Sequence, residues 1–282
     1  MKTIMAASDL SARSDRALAR AALLAHQHQA KLLAVHVVDE ELPAALADRQ
    51  AEDADRLLRA AIAALPDSGT LSSEVRVVVG ELYQTIHSEA EASGADLVVI
   101  GQHRKDVLLD LFRGSTGERI IRFGNRPVLV VKSAALHRYV SLLVAVDFSP
   151  PSRRAVEMSV KLAPDADVKL VHAFDIPFRG LLFGGASMER LAKKHQQQFQ
   201  EMVEAQTREF LATLSAPIAL REVIAREGAP EETVLAVADE TRSDLLVVGT
   251  HGRSGIGRAL LGSVAEGLIA RAPCDVLAVR GW

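Results

Sequence analysis

The chain has 282 residues, 49% hydrophobic and 24% charged, with a net charge of −3 and a pI near 6.3. That length admits one large domain or two ordinary ones, and the balance is that of a packed globular protein rather than a disordered one. Aromatics at 4% offer few stacking platforms for single-stranded nucleic acid, and the slight acidity gives no pull toward nucleic acid or an anionic membrane. A single cysteine, Cys274, leaves no internal disulfide and fits a reducing compartment. Met1-Lys-Thr-Ile-Met leads into a strand pattern without a signal-like segment, and no apolar run approaches the roughly 18 residues of a membrane helix. The expected compartment is the cytoplasm.

In chain order, short Val/Ile/Leu runs predict strands near 3–8, 31–38, 74–79, 97–101 and 127–131. The stretches between them predict helices near 12–28, 43–65, 81–93 and 115–123. Nearly continuous apolar strands separated by helices imply a parallel sheet covered on both faces. Five strands and four helices make a doubly wound (Rossmann-like) α/β unit, whose ligands bind beyond the carboxyl ends of the strands.

The unit then recurs. Ile4-Met-Ala-Ala-Ser-Asp9-Leu-Ser11 returns as Leu143-Val-Ala-Val-Asp147-Phe-Ser149, with the aspartates 138 apart. The strand ending His36-Val37 returns as the one ending His172-Ala173, an offset of 136. Gly101 to Gly249, Gly114-Ser115 to Gly262-Ser263 and Val128 to Val276 are all 148 apart. Such constancy argues duplication. The offset grows by 12 between His172 and Gly249, which places an insertion near 177–187. Its Phe178, Leu181, Leu182 and Phe183 are compatible with a lid, an oligomer contact or a plain surface loop. The linker falls around Ser133 to Arg138, dividing the chain into domains 1–134 and 139–282.

Chemistry concentrates after the fourth strand of each copy. Gly249-Thr-His-Gly252, nine residues, then Gly262-Ser263 reads as strand, small-residue loop and helix start. Glycines there let backbone N–H groups approach a ligand, and the helix points its positive end into the same space, which suits a phosphate. Ser263-Val-Ala-Glu266 and Ser115-Thr-Gly-Glu118 also read as capping boxes. Asp147 is placed either to cap the following helix or to bond an adenine or ribose. His36 and His172 end core strands, where a satisfied structural histidine is expected, while His103 and His251 have no specified role. Cys274 lacks a nucleophile pattern, and no metal-ligand spacing appears. The sequence holds no P-loop; Gly255-Ile-Gly257 lacks a third glycine at Leu260, which argues against a dinucleotide fingerprint. The site reads as one that holds a nucleotide rather than cleaves it.

These segments, with Ala272-Pro-Cys-Asp-Val-Leu-Ala-Val279, resemble the universal stress protein family over essentially the whole chain, twice. The Gly-x2-Gly-x9-Gly-Ser spacing resembles its ATP-binding branch. The resemblance implies a strand order of 3-2-1-4-5 in each of two tandem sheets, pairing of units through their last strands, and cytoplasmic proteins that bind ATP or AMP without clear catalysis. By position it assigns Asp147, Ala173, Gly249, Gly252, Gly262, Ser263 and Val264 to a second-half nucleotide site. Asp147 and the main chain at Ala173 would meet the adenosine, Gly249 and Gly252 the ribose and phosphates, and Gly262, Ser263 and Val264 the phosphates. In the first half it assigns Asp9, Val37, Gly101, Gly114, Ser115 and Thr116.

Two departures stand out. Arg104 occupies the place of the second glycine in the first copy, so that site is expected to be the weaker; its side chain either blocks close approach or supplies a cation. Asp275 replaces a common proline, with little expected bearing on binding. Pairing through 127–131 and 275–279 would let one chain form its own pseudo-twofold dimer, with helices 43–65 and 188–214 flanking that core. Dimerisation of whole chains is compatible with it. The resulting expectation is an adenine-nucleotide-binding stress-response sensor or regulator with no catalytic residue and unnamed protein partners. Its ligand is ATP, ADP or AMP, with magnesium implied only as the companion of ATP phosphates. The alternative is an interaction scaffold or chaperone-like stress protein whose sites are empty or hold another anion. A slow ATPase needs a base and an in-line water that the sequence does not nominate.

Overall fold

The computed structural model describes residues 1–102, 116–174, 201–215, 218–251 and 261–280. Each apolar run becomes a strand and each stretch between becomes a helix. The first half comprises β1 (Thr3–Ala7), α1 (Ala12–His28), β2 (Lys31–Val38), α2 (Ala44–Ala63), β3 (Ser73–Val79), α3 (Leu82–Ala92), β4 (Leu97–Gly101), α4 (Thr116–Phe123) and β5 (Val128–Val131). The second comprises β6 (Ser141–Ala145), α5 (Pro150–Leu162), β7 (Asp167–Phe174), α6 (helical over 201–212), β8 (Leu220–Glu227), α7 (Pro230–Glu240), β9 (Leu245–Gly249), α8 (Ser263–Arg271) and β10 (Asp275–Val279). The segment 177–187 lies outside the described residues, as does the first part of the helix expected at 188–214.

The halves share one ten-stranded sheet in the order β3-β2-β1-β4-β5-β10-β9-β6-β7-β8, so the expected 3-2-1-4-5 order holds within each half but the two sheets are continuous. All neighbours run parallel except β5 and β10, which pair antiparallel with Leu129 opposite Leu277. Each of those strands would otherwise present an open edge of unpaired N–H and C=O groups, and joining them removes both edges. One chain thus supplies its own pseudo-twofold pair. One expectation fails. Helix α2 packs on β2 and β3 at the outer end of the sheet, and it is α1 and α5 that lie over the β5–β10 seam.

Alternation along the strands divides the core in two. Ile4, Ala6, Leu97, Val99 and Leu129 face α1, α2 and α5, while Met5, Val98, Ile100, Val128 and Val130 face α3, α4, α7 and α8. With both faces covered, even the strand centres are fully buried, which is why the sequence showed runs rather than alternation.

The glycine closing β4 answers a packing demand. A Cβ on Gly101 would lie 2.7 Å from the Arg13 carbonyl oxygen in the first turn of α1; on Gly249, closing β9, it would lie 3.2 Å from the carbonyl carbon of Pro151. Gly101→Ala is therefore expected to cost about 1–3 kcal/mol through backbone displacement. Gly249→Ala should cost clearly less, and urea melts of the two variants check the order.

At the seam lies a buried polar cluster. Asp275 is fully buried; its Oδ1 accepts from the N–H groups of Lys132 (2.9 Å) and Ser133 (3.0 Å) and from the Ser133 hydroxyl (2.9 Å). Its Oδ2 accepts from the Tyr139 hydroxyl at 2.6 Å and faces Arg20 Nε at 3.4 Å. The Arg20 guanidinium lies over the Tyr139 ring, 4.2 Å from its centroid, and donates to the His137 carbonyl at 2.7 Å. One carboxylate of β10 thereby ties down the linker and α1 together. Burial, then the Asp275 charge, raises the Tyr139 phenol well above its ordinary value, keeping it a donor.

Candidate nucleotide site

Strand β1 has β2 on one side and β4 on the other, and β6 likewise sits between β7 and β9. Connections diverge at these two places, and a crevice opens beyond the strand ends. Of the sequence-assigned residues, Asp9, Val37, Gly101 and Thr116 line one such crevice, and Asp147, Ala173 and Gly249 stand at the corresponding strand ends of the second half.

The β1–α1 turn is built by local hydrogen bonds. Asp9 Oδ1 accepts from the N–H and hydroxyl of Ser11, Ser11 caps α1, and Leu10 between them takes a left-handed φ of 62°. The second copy repeats the arrangement: Asp147 accepts from Ser149, Ser149 caps α5, and Phe148 has φ 62°. A left-handed conformation costs a non-glycine residue about 1–2 kcal/mol. Its occurrence at equivalent positions marks the turn as a held feature of both copies, one that residue type did not announce. The aspartates are therefore not the helix caps; they orient the serines that are. Burial opposes ionisation of Asp9, but hydrogen bonds from Ser11, through hydroxyl and N–H, and from Ser14 outweigh it and hold the carboxyl below its ordinary value.

Both strand-end histidines are structural, as expected. His36 Nδ1 bonds the Ser8 carbonyl and His172 Nδ1 bonds the Val146 carbonyl, each at 2.8 Å. The β1–β2 register ends at Ala7 opposite Val35, and the β6–β7 register at Ala145 opposite Val171. Val37 and Ala173 lie two residues beyond these points, with their main chain past the neighbouring strand on the crevice side.

In the first half the crevice is a cavity of about 270 Å³, near the lower end of the usual range for small-molecule sites. Asp9, Arg13, His36 and Gln102 supply polar groups, Val37, Gly101 and Thr116 line it, and Ile86, Ile100 and Ile120 form apolar wall. Arg13 was not singled out from the sequence, where its counterpart Pro151 gave no hint of a cation. Gly114, Ser115 and Arg104, with the capping box at Ser115, lie outside the described residues. A wall residue comes from the other half: Ile269 of α8.

In the second half, Gly249 ends β9 and Gly262 stands immediately before α8; Gly252 lies outside the described residues. Gly262, with φ −65° and ψ 142°, is the N-cap residue of α8, and its N–H donates to the Thr250 carbonyl at 2.9 Å. The capping box at Ser263 is thus displaced by one residue: Ser263 is the first helical residue and exposed, and the first-turn N–H groups, Val264 included, have no acceptor within the helix.

The far ends of these helices are held across the seam. Lys132 Nζ, just after β5, donates to the Ala272 carbonyl behind α8 at 2.8 Å. Its counterpart Arg280, just after β10, donates through Nη1 to the Gly124 carbonyl behind α4 at 2.7 Å. A cation at a helix C-terminus favours the helix dipole, so each half steadies the other's candidate phosphate helix.

Cys274 beside the seam is 7% exposed, and burial pushes its thiol up to about 12. It is no nucleophile at neutral pH. With the folded value raised, its stabilisation is complete below the ordinary value of 9.0 and is lost as pH climbs toward 12. Across that window the wild type should lose up to about 1.4 kcal/mol per pH unit more than Cys274→Ala, checked by denaturant unfolding at pH 8 and 10. Among the described residues there is no cluster suited to a metal ion and no helix long and apolar enough to cross a membrane.

Comparison with known proteins agrees with this fold. The model of the universal stress protein family matches residues 1–132 and again 138–280. A universal stress protein of Methanocaldococcus jannaschii is 31% identical over 147 residues, 50% of this chain and 82% of the relative. Universal stress protein E of Escherichia coli K12 is 24% identical over 210 residues, 70% of this chain and 65% of the relative. The crystal structure of a universal stress protein from Archaeoglobus fulgidus superposes with a TM-score of 0.70 over 99% of this chain and 98% of that one, at 19% identity, a likeness of fold.

Proposed function

Because this chain belongs to the universal stress protein family, we propose that it binds an adenine nucleotide at the strand ends of each half and acts as a sensor or regulator rather than a catalyst. The observation that carries the reading is the first-half cavity. Its polar groups stand beside the β1 turn, its interior is apolar enough for a heterocycle, and it opens at the start of α4. In that cavity Asp9 and the main chain of Val37 would take the adenosine, and Thr116 with the N–H groups opening α4 would meet the phosphates. Asp147, Ala173, Gly249, Gly262, Ser263 and Val264 are the second-half counterparts, with Gly252, Gly114 and Ser115 completing the two sets by sequence. Arg13 joins the first-half set as a cation within reach of a phosphate tail.

Nucleotide occupancy would act on the pair of halves as a unit. Helix α8 offers its first turn to one ligand, gives Ile269 to the wall of the other cavity, and is held at its end by Lys132. A ligand that binds one arrangement of these elements better shifts the population toward it. Domains 1–134 and 139–282 are then two binding units of one body, in the cytoplasm.

The test is the nucleotide content of the purified protein, released by denaturation and identified by mass. One or two adenine nucleotides per chain are expected. None, with no uptake of added ATP in calorimetry, would overturn the proposal in favour of an interaction scaffold.

A further inference from the structure

The pseudo-twofold axis between β5 and β10 creates two grooves along the seam, and the chain fills only one. In the first, Asp275 and Arg20 form the buried pair described above, and the linker through Tyr139 lies across it. In the second, the repeat offsets put Pro127 where Asp275 stands and Met158 where Arg20 stands. Here a cavity of about 270 Å³ lies between α5 and the seam, with an apolar floor of Pro127, Met158 and Val279.

The second groove thus lacks both members of that pair, the carboxylate and the Arg20 cation, yet carries cations of its own. Arg154, Lys161 and Arg280 line it. Arg154 Nη1 is shut off from solvent with no hydrogen-bond partner. Lys161 is half exposed and 3.4 Å from Asp96, a carboxylate that already accepts from the N–H groups of Lys2 and Thr3. Glu157, the acidic residue of the lining, accepts from the N–H and hydroxyl of Ser215. Asn125 donates its amide to Glu91, while its Oδ1 is buried without a donor. An unpaired buried guanidinium donor is costly unless something completes it.

We infer that this seam cavity binds a small hydroxylated oxyanion, a phosphate or carboxylate metabolite, with the anionic group on Arg154, Lys161 and Arg280 and a hydroxyl donated to Asn125. The guanidinium forks match either anion, and the apolar floor accommodates a short carbon skeleton. The ligand stands in for the carboxylate that Asp275 supplies in the first groove. This site lies between helix α5 and the strand seam, shares no lining residue with the first-half cavity, and does not depend on nucleotide being bound.

Calorimetric titration of the whole chain in excess ATP, with inorganic phosphate in one arm and malate in the other, tests it. Saturable binding of at least one probe is expected, and the stronger arm assigns the anion class. Arg154→Glu should weaken that binding by about tenfold or more, and so should the more exposed Lys161→Glu, which guards against a folding failure. Gly262→Leu should leave it unchanged. No saturable heat in either arm, binding that survives both charge reversals, or binding lost only in Gly262→Leu would each overturn the inference.

Discussion

Asp275→Ala is expected to lower the stability of the whole chain by about 3–5 kcal/mol, because it leaves Arg20 buried without its counter-charge. Tyr139 and Ser133 lose their acceptor at the same time. The effect should reach both halves, since the carboxylate lies on β10 of the second half while its counter-charge comes from α1 and its donors from the segment after β5. For a protein of 282 residues the loss corresponds to a melting temperature lower by about 5–8 °C. Asp275→Asn, which keeps an acceptor but not the charge, should fall between the wild type and the alanine variant. Arg20→Met combined with Asp275→Ala should recover part of the loss, because the double change removes the stranded charge and imitates Met158 in the opposite groove. Thermal and denaturant melts of the four proteins decide the matter. A loss below about 1 kcal/mol for Asp275→Ala would mean that the cluster is held by solvent rather than by the pair.

What the sequence made legible follows from how local each feature is. The strands are covered on both faces, so each appears as an apolar run, and α1, with Ser11 before it and an apolar stripe within, falls where its pattern puts it. The duplication was legible because it preserves spacing, and Asp9, Val37, Gly101 and Thr116 of the first-half assignment line one cavity. The missing features depend on partners far away in the chain. Asp275 read as a lost proline because its partners, the Arg20 counter-charge and the Tyr139 donor, are 255 and 136 residues distant and carry no mark of pairing in the sequence. Gly262 caps α8 in place of Ser263 because the Thr250 carbonyl fixes its N–H, a tertiary bond that overrides the local capping box. Gly101 is required by the backbone of α1 pressing on the end of β4, which no motif spacing encodes. The placement of α2 failed because the helix packs on the strands adjacent to it in sequence, at the far edge from the seam.

Gly262→Leu is expected to weaken ATP binding in the second half by about 100-fold, equivalent to roughly 2.7 kcal/mol, with the fold intact. The backbone at Gly262 is in a conformation that any residue adopts, and a Cβ there lies 3.3 Å from the Thr250 carbonyl oxygen, a contact that small shifts relieve. The residue is thus replaceable as a structural element, and melts should show a loss near 1 kcal/mol or less. As an element of the proposed phosphate site it should not be. It stands at the mouth of the first turn of α8, where a phosphate must approach the free N–H groups closely, and a branched side chain occupies that approach. Gly262→Ala should therefore bind ATP more tightly than Gly262→Leu while matching it in stability. Equilibrium dialysis with ATP reads both affinity and stoichiometry. If the first-half cavity also binds, Gly262→Leu should lose one class of site and keep the other, and Asp9→Ala should remove the survivor. Wild-type affinity and stoichiometry in Gly262→Leu would sink the assignment of the α8 N-terminus as a phosphate site, whatever the first half binds.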